Sequence, residues 1–353
     1  MNIEKMNAIV TAKSSIAHGQ ILSEQASKSR KVKNFNRLAR ETFVSYVPIY
    51  EEEDVLEDGK KTGKKQVVER KDLATFDLPI ISGNSIRGEA RTLLTQFTYD
   101  DVLDLDILKI ATDQKLGKSA ERLARFTLQL LYKGGVTPGK CKIEYTPCGM
   151  YEKITNAIPT LSLLGGVMGA HHFSGALRVS SMIPATAETF EMFKSEFPNE
   201  KKPDLLALTL NRSTNQSRYA KHESVVTSNE GNGLTDDTDV ERSKTKMLFG
   251  QETIPAGTRF YFMTECTSDN EGTLLAYRAF NALLARHSYV GAMSGKGHGR
   301  VTYEFDTDLS HALEDYEKYL VAHKDTIVEA ISQIPANFRF KIQKDDDESE
   351  GDA

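Results

Sequence analysis

Two arginines beside a small polar turn are the residues of this sequence whose types and spacing best suit anion binding. Arg87 and Arg91 lie four residues apart in ISGNSIRGEAR, residues 81–91, so a helix places them on one face. The preceding residues 82–85 include good N-cap types. A helix N-terminus exposes N–H groups and the positive end of the helix dipole, which favours an anion. The alternative is that the polar residues only cap the helix and both arginines are solvated.

A second stretch combines glycines with bases. VGAMSGKGHGRV, residues 290–301, holds four glycines within nine residues, interleaved with Lys296, His298 and Arg300. Glycines allow a backbone in which successive N–H groups face one phosphate, a nest. The stretch is not a Walker A loop, because only three residues separate its first two glycines and no Ser or Thr follows the lysine.

Charge is segregated along the chain. Residues 13–40 hold seven bases and one acid, Glu24, which is typical of a phosphate-binding arm or of a solvated loop. Residues 345–352 hold six acids and no base, and removing them from the net charge of -5 leaves about +1.

Composition indicates a globular protein, with 27% charged and 39% apolar residues. No apolar run is long enough for a membrane span and the N-terminus lacks a secretory pattern, so we expect an intracellular, cytoplasmic protein. Three cysteines exclude a disulfide framework. Cys141 and Cys148 have no second pair of ligands nearby, so we predict no metal site.

Apolar periodicity predicts a core of six elements. They are a strand at Asn7–Lys13, a helix from Ser85, strands at Ala176–Met182 and Thr258–Cys266, a helix at Gly272–Arg286 and a strand at Arg300–Phe305. The order βαββαβ predicts an α+β, ferredoxin-like fold, the topology of RNA-recognition domains. A fold alone does not give function.

Large insertions separate these elements. We predict one core domain at residues 1–310, a C-terminal helical region at 311–344 and a disordered acidic tail at 345–353. The insertions are a basic loop region at 14–78, a helical insertion at 98–165 and a long hairpin at 203–257. The hairpin follows a predicted strand at Asp204–Leu210 and is polar over some forty residues, too long for an ordinary loop.

With these pieces in place, the chain resembles the RAMP (repeat-associated mysterious protein) superfamily, and specifically the backbone subunits of class 1 CRISPR effector complexes. Four stretches carry the resemblance. They are ISGNSIRGEAR at 81–91, LLGGVMGAHHFSGALRVSSM at 163–182, LNRSTNQS with MLFGQETIPAGTRFYF, and VGAMSGKGHGRV at 290–301. The first looks like the family's Gly-Ser-Ser-Ile-Lys-Gly…Arg motif, and the third looks like its "thumb" hairpin and return strand. The size and the opening TAKSSIAHG are most similar to the type IV backbone protein.

The resemblance implies a head-to-tail helical filament along a guide RNA, with each thumb crossing the RNA between neighbouring copies. The implied partners are the guide RNA (crRNA), further copies of the chain, other Cas subunits and, through the guide, target DNA or RNA. No cofactor is implied. The predicted RNA-binding residues are Lys13, His18, Asn84, Ser85, Arg87, Arg91, His171, Asn211, Arg212, Arg218, Lys296, His298 and Arg300. The predicted phosphate nest comprises Gly83, Gly295, Gly297 and Gly299.

Related type III backbone subunits cut bound RNA with an aspartate in the loop after the first strand. Residues 14–40 contain no aspartate, so we predict a non-catalytic, guide-RNA-binding subunit. One alternative is a metal-independent RAMP endoribonuclease, in which His18, His171 or His298 acts as general base toward a ribose 2′-OH. A nucleotide-binding enzyme using the loop at Gly291 is another alternative, and the missing Ser or Thr after Lys296 opposes it.

Overall fold

The structure, a computed structural model, describes residues 2–18, 35–36, 38–57, 60–112, 120–135, 141–143, 148–168, 171–213, 215–221, 247–337 and 340–342. Its strands are β1 Ile3–Ala12, β2 Phe35–Asn36, β3 Arg40–Glu57, β4 Lys60–Pro79, β5 Cys141–Ile143, β6 Gly165–Met168, β7 His171–Ser174, β8 Leu177–Val179, β9 Ile183–Pro184, β10 Asn215–Lys221, β11 Met247–Thr253, β12 Arg259–Thr267, β13 Val301–Phe305 and β14 Phe340–Ile342. Its α-helices are α1 Gly83–Gln96, α2 Ile107–Thr112, α3 Ala120–Lys133, α4 Cys148–Ala157, α5 Pro159–Leu164, α6 Ala187–Phe193, α7 Ala207–Ser213, α8 Glu271–Arg286, α9 Ala312–Ala322 and α10 Lys324–Asn337.

The central sheet has the strand order β13-β1-β12-β8, and the short β9 also pairs with β12. Every pairing among these strands is antiparallel. With α1 after β1 and α8 after β12, this is the βαββαβ order with the fourth, first, third and second strands side by side. The predicted α+β, ferredoxin-like fold is confirmed.

One face of the sheet carries the main core. β1 alternates, so that Met6, Ala8 and Val10 point to one side, as the strand period of two requires. They pack with residues of α1 and α8 such as Leu94 and Phe280, which are fully buried. The apolar stripe of each helix therefore meets the apolar face of the sheet, and this contact sets the direction in which α1 presents its other faces.

The opposite face of the sheet is partly covered too. Tyr261 is buried there between Phe193 and Phe197, with ring centroids 5.1 Å and 4.9 Å away, and Ile9 joins the same cluster. RNA-recognition domains stack bases on aromatic side chains of this face. Here α6 and the residues after it occupy that position, so Tyr261 is not open to a stacking base.

The insertions form their own elements. β3 and β4 pair as a long antiparallel hairpin, from Arg40 opposite Pro79 to Glu57 opposite Lys60. β10 and β11 pair antiparallel, and β2 lies parallel to β11. The residues joining β10 to β11, the tail from 343 and most of the basic arm, 19–34, lie outside the described residues. A π-helical segment at Phe97–Val102, followed by α2 and α3, occupies the first half of the predicted helical insertion.

Two local predictions were wrong. The second half of the predicted strand at Asp204–Leu210 belongs to α7, which begins at Ala207. Its buried residues are Ala207 and Leu210, three apart, while Leu206 and Leu208 are exposed. The glycine-dense turn predicted before β8 instead contains α5 and the β6–β7 hairpin. Short elements of this kind are held by tertiary contacts and leave little periodicity in the sequence.

Candidate nucleic-acid interface

Helix α1 presents a buried face and an exposed N-terminal end. Ile86 and Leu94 are buried in the core, whereas Asn84 and Ser85 are exposed in the first turn. Ser82 stands at the N-cap without a side-chain capping bond, and the first turn contains no acidic residue. The positive end of the helix dipole is therefore uncompensated by a carboxylate of that turn, and an anion placed near Asn84 and Ser85 would be stabilised.

Gly83, predicted to be part of a phosphate nest, has a packing role instead. Its N–H points to Ser181 Oγ, 3.4 Å away. A Cβ at Gly83 would lie 2.5 Å from the carbonyl oxygen of Val179 and 2.6 Å from that of Ser180, which is closer than real Cβ atoms come. Glycine is thus needed where the start of α1 crosses the end of β8.

Arg87 and Arg91 are half-buried and hold the C-terminal end of α5. Arg91 Nη2 donates to Leu164 O at 2.9 Å and Arg91 Nη1 donates to Gly165 O at 3.2 Å, while Arg87 Nη2 also donates to Leu164 O. The last carbonyls of a helix lack intrahelical partners and carry the negative end of its dipole, so cations are stabilised there. The alternative of two simply solvated arginines is therefore wrong.

The two guanidinium groups also affect each other. Burial, and then the neighbouring charge of Arg87, lower the pKa of Arg91 to about 10. Arg91 thus stays protonated at neutral pH. The pair concentrates two positive charges in a partly desolvated place.

A cleft of about 810 Å³ opens beside these arginines. We call it the arginine cleft; it lies between α1, the end of α3 and the β6–β7 hairpin. Its polar side chains belong to Asn84, Arg87, Arg91, Thr92, Tyr132, Lys133, His172 and Ser174, and the backbone at Gly134 and Gly165–Val167 completes the wall. Lys133 and His172 are exposed and were not predicted as site residues. The sequence did offer a signal for Lys133: it directly precedes two consecutive glycines, which indicates that it lies at the end of a helix.

The glycine-rich loop packs against the segment that follows β1. Lys13 N–H and Ser14 N–H both donate to Arg300 O, at 2.7 and 3.2 Å, and Arg300 N–H donates to Ser14 Oγ at 2.9 Å. Further along, Gly299 N–H donates to Ser15 O and Ala292 N–H donates to Ala17 O. Residues 13–18 therefore run along the glycine-rich loop. We call this segment the connecting strip.

The strip ends at the N-terminus of α1 through His18. Ser82 N–H donates to His18 Nε2 at 3.2 Å, and His18 O accepts from Ala39 N–H at the start of the β3–β4 hairpin. His18 is buried, and burial lowers its pKa, which keeps the ring neutral. Its Nε2 is engaged by a backbone N–H, so His18 joins three elements and does not present a base to RNA.

The glycines of the loop make its shape possible but do not form the predicted nest. Gly291, Gly297 and Gly299 have φ near +80°, and a Cβ at Gly299 would lie 2.2 Å from Val290 O. The N–H groups of Gly297 and Gly299 donate to Ser294 O and Ser15 O. These two N–H groups are thus already bonded within the protein. An added Cβ would meet no atom within 4 Å at Gly295 or at Gly297, so these two positions match the expectation of an accessible turn.

Bases project from this arrangement. Lys13, Lys296 and Arg300 are exposed, and His298 is half-buried with its Nδ1 2.8 Å from Ser15 Oγ. Because Lys13 and Arg300 are joined through their backbones as facing residues of an antiparallel pair, their two side chains lie on the same side of it. We call Lys13, Lys296, Arg300 and the exposed turn Asn84–Ser85 the basic track; the connecting strip joins its two ends.

The remaining predicted residues lie elsewhere. Asn211 Oδ1 accepts from Arg40 Nη1 at 2.7 Å, and Asn211 Nδ2 donates to Asp77 O at 2.7 Å, so Asn211 ties α7 to the base of the β3–β4 hairpin. Arg212 is exposed on α7. Arg218 stands in β10 opposite Gly250, and His171 stands in β7 opposite Met168.

The part of the chain that the structure describes contains no group of three His, Cys, Asp or Glu side chains able to hold a metal ion. Within the same part, no helix combines the length and the apolar character that crossing a membrane requires.

Comparisons with known proteins found similar solved structures but no similar sequence. No protein-family model matches the sequence, and no curated protein matches it significantly. Among solved structures, a chain of a type IV-B CRISPR complex is similar with a TM-score of 0.46 and 18% identity, covering 86% of this chain and 91% of that chain. Cmr6 from Pyrococcus furiosus is similar with a TM-score of 0.32 and 12% identity, covering 86% of this chain and all of that one. Both similar structures match over most of this chain.

Proposed function

We propose that this protein is a non-catalytic backbone subunit of a CRISPR effector complex, most like the type IV backbone protein. In this role it oligomerises along a guide RNA and presents the RNA for pairing with a target nucleic acid. Its partners are the guide RNA, neighbouring copies and other Cas subunits. The four resembling stretches supply the family expectation, and the geometry around the connecting strip supplies the physical basis.

The observation that carries the proposal is the basic track. Lys13, Asn84 and Arg300 are far apart in sequence, yet the backbone bonds of the connecting strip place them around one segment. Neither Lys13 nor Arg300 forms an ion pair within the described residues. Unpaired exposed cations next to an uncompensated helix N-terminus attract a chain of phosphates without regard to base sequence.

His18 favours a binding role over cleavage. Its Nε2 accepts a backbone N–H in a buried position. A general base needs a free ring nitrogen within reach of the ribose 2′-OH. The chemistry or unwinding of the complex is then supplied by other subunits.

Salt-dependent RNA binding tests the track. The double variant Lys13→Ala/Arg300→Ala should weaken binding of a labelled single-stranded RNA to a similar degree for two unrelated sequences. The slope of log K against log salt should fall by about 0.7 per lost phosphate contact, or about 1.4 in all. Lys153→Ala/Lys194→Ala, which removes two exposed charges from α4 and from the residue after α6, is the matched control. Equal affinity and slope for both double variants would refute the track.

Co-expression tests the assembly. The protein should be produced with a CRISPR array and its neighbouring genes, purified by size exclusion, and the RNA in the eluted particle sequenced. Several copies on a uniform guide RNA are expected. A monomer without RNA, under conditions in which the guide is made, would refute the backbone role.

A further inference from the structure

The arginine cleft carries an unbalanced charge. Its lining includes Arg87, Arg91 and Lys133 as cations and His172 as a further titratable base, and none of its described lining residues is Asp or Glu. The nearest described carboxylate in hydrogen-bond contact with a lining side chain is Asp100, which accepts from the hydroxyl of Tyr132. Three positive charges around one concave surface favour an anionic occupant.

The hydrogen bonding of the arginines is also incomplete. A guanidinium offers five N–H donors. Arg87 Nε is buried and has no hydrogen-bond partner within the described residues. Buried polar groups are usually paired, and a buried charged donor without an acceptor is costly. Arg87 therefore has a donor that the described protein atoms do not satisfy.

The chain itself has an anionic segment whose attachment point is near. β14 pairs with β5, so that Ile342 stands opposite Cys141. Gly135, which precedes Cys141 by six residues, lies against the cleft wall, because a Cβ there would be 2.0 Å from Val167 O. Six residues span at most about 20 Å, and paired strands lie about 5 Å apart. Ile342 is therefore within about 25 Å of the cleft.

The C-terminal tail is long enough to cover this distance. Ten residues separate Ile342 from Asp352, which gives a reach of about 33–36 Å when extended. The tail carries Asp345, Asp346, Asp347, Glu348, Glu350 and Asp352, against the three full positive charges of the cleft. The cleft volume of about 810 Å³ accommodates several carboxylate side chains.

We propose that the acidic tail, residues 345–352, docks in the arginine cleft of its own chain. Its carboxylates pair with Arg87, Arg91 and Lys133, supplying the counter-charge that the cleft lacks. Docking needs neither RNA nor the proposed function, so it is testable on the isolated full-length protein. If the proposed function holds as well, the tail limits non-specific RNA binding next to Asn84, where the cleft and the basic track meet.

Zero-length cross-linking tests where the tail lies. A carbodiimide joins a lysine amine to a carboxylate in contact with it, and we expect peptides linking Lys133 to residues 345–352. In an equal mixture of ¹⁵N-labelled and unlabelled protein, the two peptides of each link should carry the same isotope, because both come from one chain. Lys133→Arg, which keeps the charge but removes the amine, should abolish them. The proposal would be overturned if Lys153 were linked to the tail in the same yield as Lys133, or if labelled peptides were linked to unlabelled ones.

A peptide titration tests the charge recognition separately. The probe is a labelled peptide of residues 343–353, added to full-length protein in which the six tail acids are Asn or Gln. In this background, Lys133→Glu should lower the affinity for the peptide at least tenfold, and Lys153→Glu should leave that affinity unchanged. Both lysines are exposed, so both variants should fold. Equal affinity for the two variants would overturn the proposal. The proposal would also be overturned if Lys133→Glu lowered the affinity for single-stranded RNA but not for the peptide, because the cleft would then be an RNA site.

Discussion

Replacing Gly83 with alanine should destabilise the protein, whereas replacing Gly88 in the same helix should stabilise it. Both glycines belong to α1 and neither has a positive φ. They differ in what an added methyl group meets. At Gly83 the Cβ would lie 2.5–2.7 Å from backbone atoms of Val179 and Ser180, whereas at Gly88 it would meet no atom within 4 Å.

The expected sizes follow from these contacts. Backbone atoms cannot rotate away as a flexible side chain can, so Gly83→Ala must push α1 away from β8, at a cost of about 1–3 kcal/mol. Gly88 is exposed in the helix interior, where alanine is better than glycine by about 0.5–1 kcal/mol. The two variants should therefore differ by roughly 1.5–4 kcal/mol in the free energy of unfolding.

Urea denaturation followed by circular dichroism measures this difference. The midpoint for Gly83→Ala should fall below that of the wild type and the midpoint for Gly88→Ala should rise, with similar slopes. Equal midpoints for the two variants would show that α1 does not cross β8 as closely as described. The placement of Asn84, Ser85 and Arg87 would then be wrong as well.

The remaining predictions concern single side chains. Ser85→Asp should raise the thermal midpoint, because an acid near a helix N-terminus is worth about 0.3–1 kcal/mol, yet weaken RNA binding in an anisotropy titration; an increase in RNA affinity would contradict the basic track. Burial lowers the pKa of His18, so its contribution to stability is complete above the ordinary value of 6.5 and is lost as the pH falls through the folded-state pKa. His18→Gln keeps an acceptor but cannot titrate, so denaturation between pH 7 and 5 should show a smaller loss of stability than in the wild type; an equal loss would contradict the burial of His18. Arg91→Lys keeps the charge but cannot donate to both Leu164 O and Gly165 O, so the free energy of unfolding should fall by about 1–3 kcal/mol. An unchanged midpoint of urea denaturation would argue against these two hydrogen bonds. Burial raises the pKa of Cys266 to about 12, so mass spectrometry after iodoacetamide treatment at pH 8 should find this thiol unmodified until urea unfolds the protein; rapid labelling of the native protein would contradict its burial.

Local pattern was enough to predict the core. Ile86 and Leu94 recur at helical spacing, and Met6, Ala8 and Val10 alternate at strand spacing. These periods depend only on which face of an element is buried, so they can be read without knowing the partner. The order of the six elements then left the ferredoxin-like sheet as the natural arrangement, because crossover connections are restricted in hand and length.

For the site, the sequence predicted which residues are candidates, from their types and their positions near the ends of helices and loops, but not which groups they contact. The spacing of Arg87 and Arg91 placed them on one face, but their partner, Leu164 O, is 73 or more residues away. Ser15 and His298 are separated by 283 residues. No local period reports such a contact. For this reason the nest was predicted at Gly297 and Gly299, whose N–H groups are already bonded to Ser294 O and Ser15 O.

By itself, then, the sequence determined the core elements, their order and the location of its charges, because each follows from the period and composition of a short segment. Only the tertiary structure decided which cations are exposed and which are structural. Burial of a polar group depends on what the rest of the chain places beside it: Arg91 meets the end of α5, His18 meets Ser82, and Lys13 meets no acidic partner within the described residues.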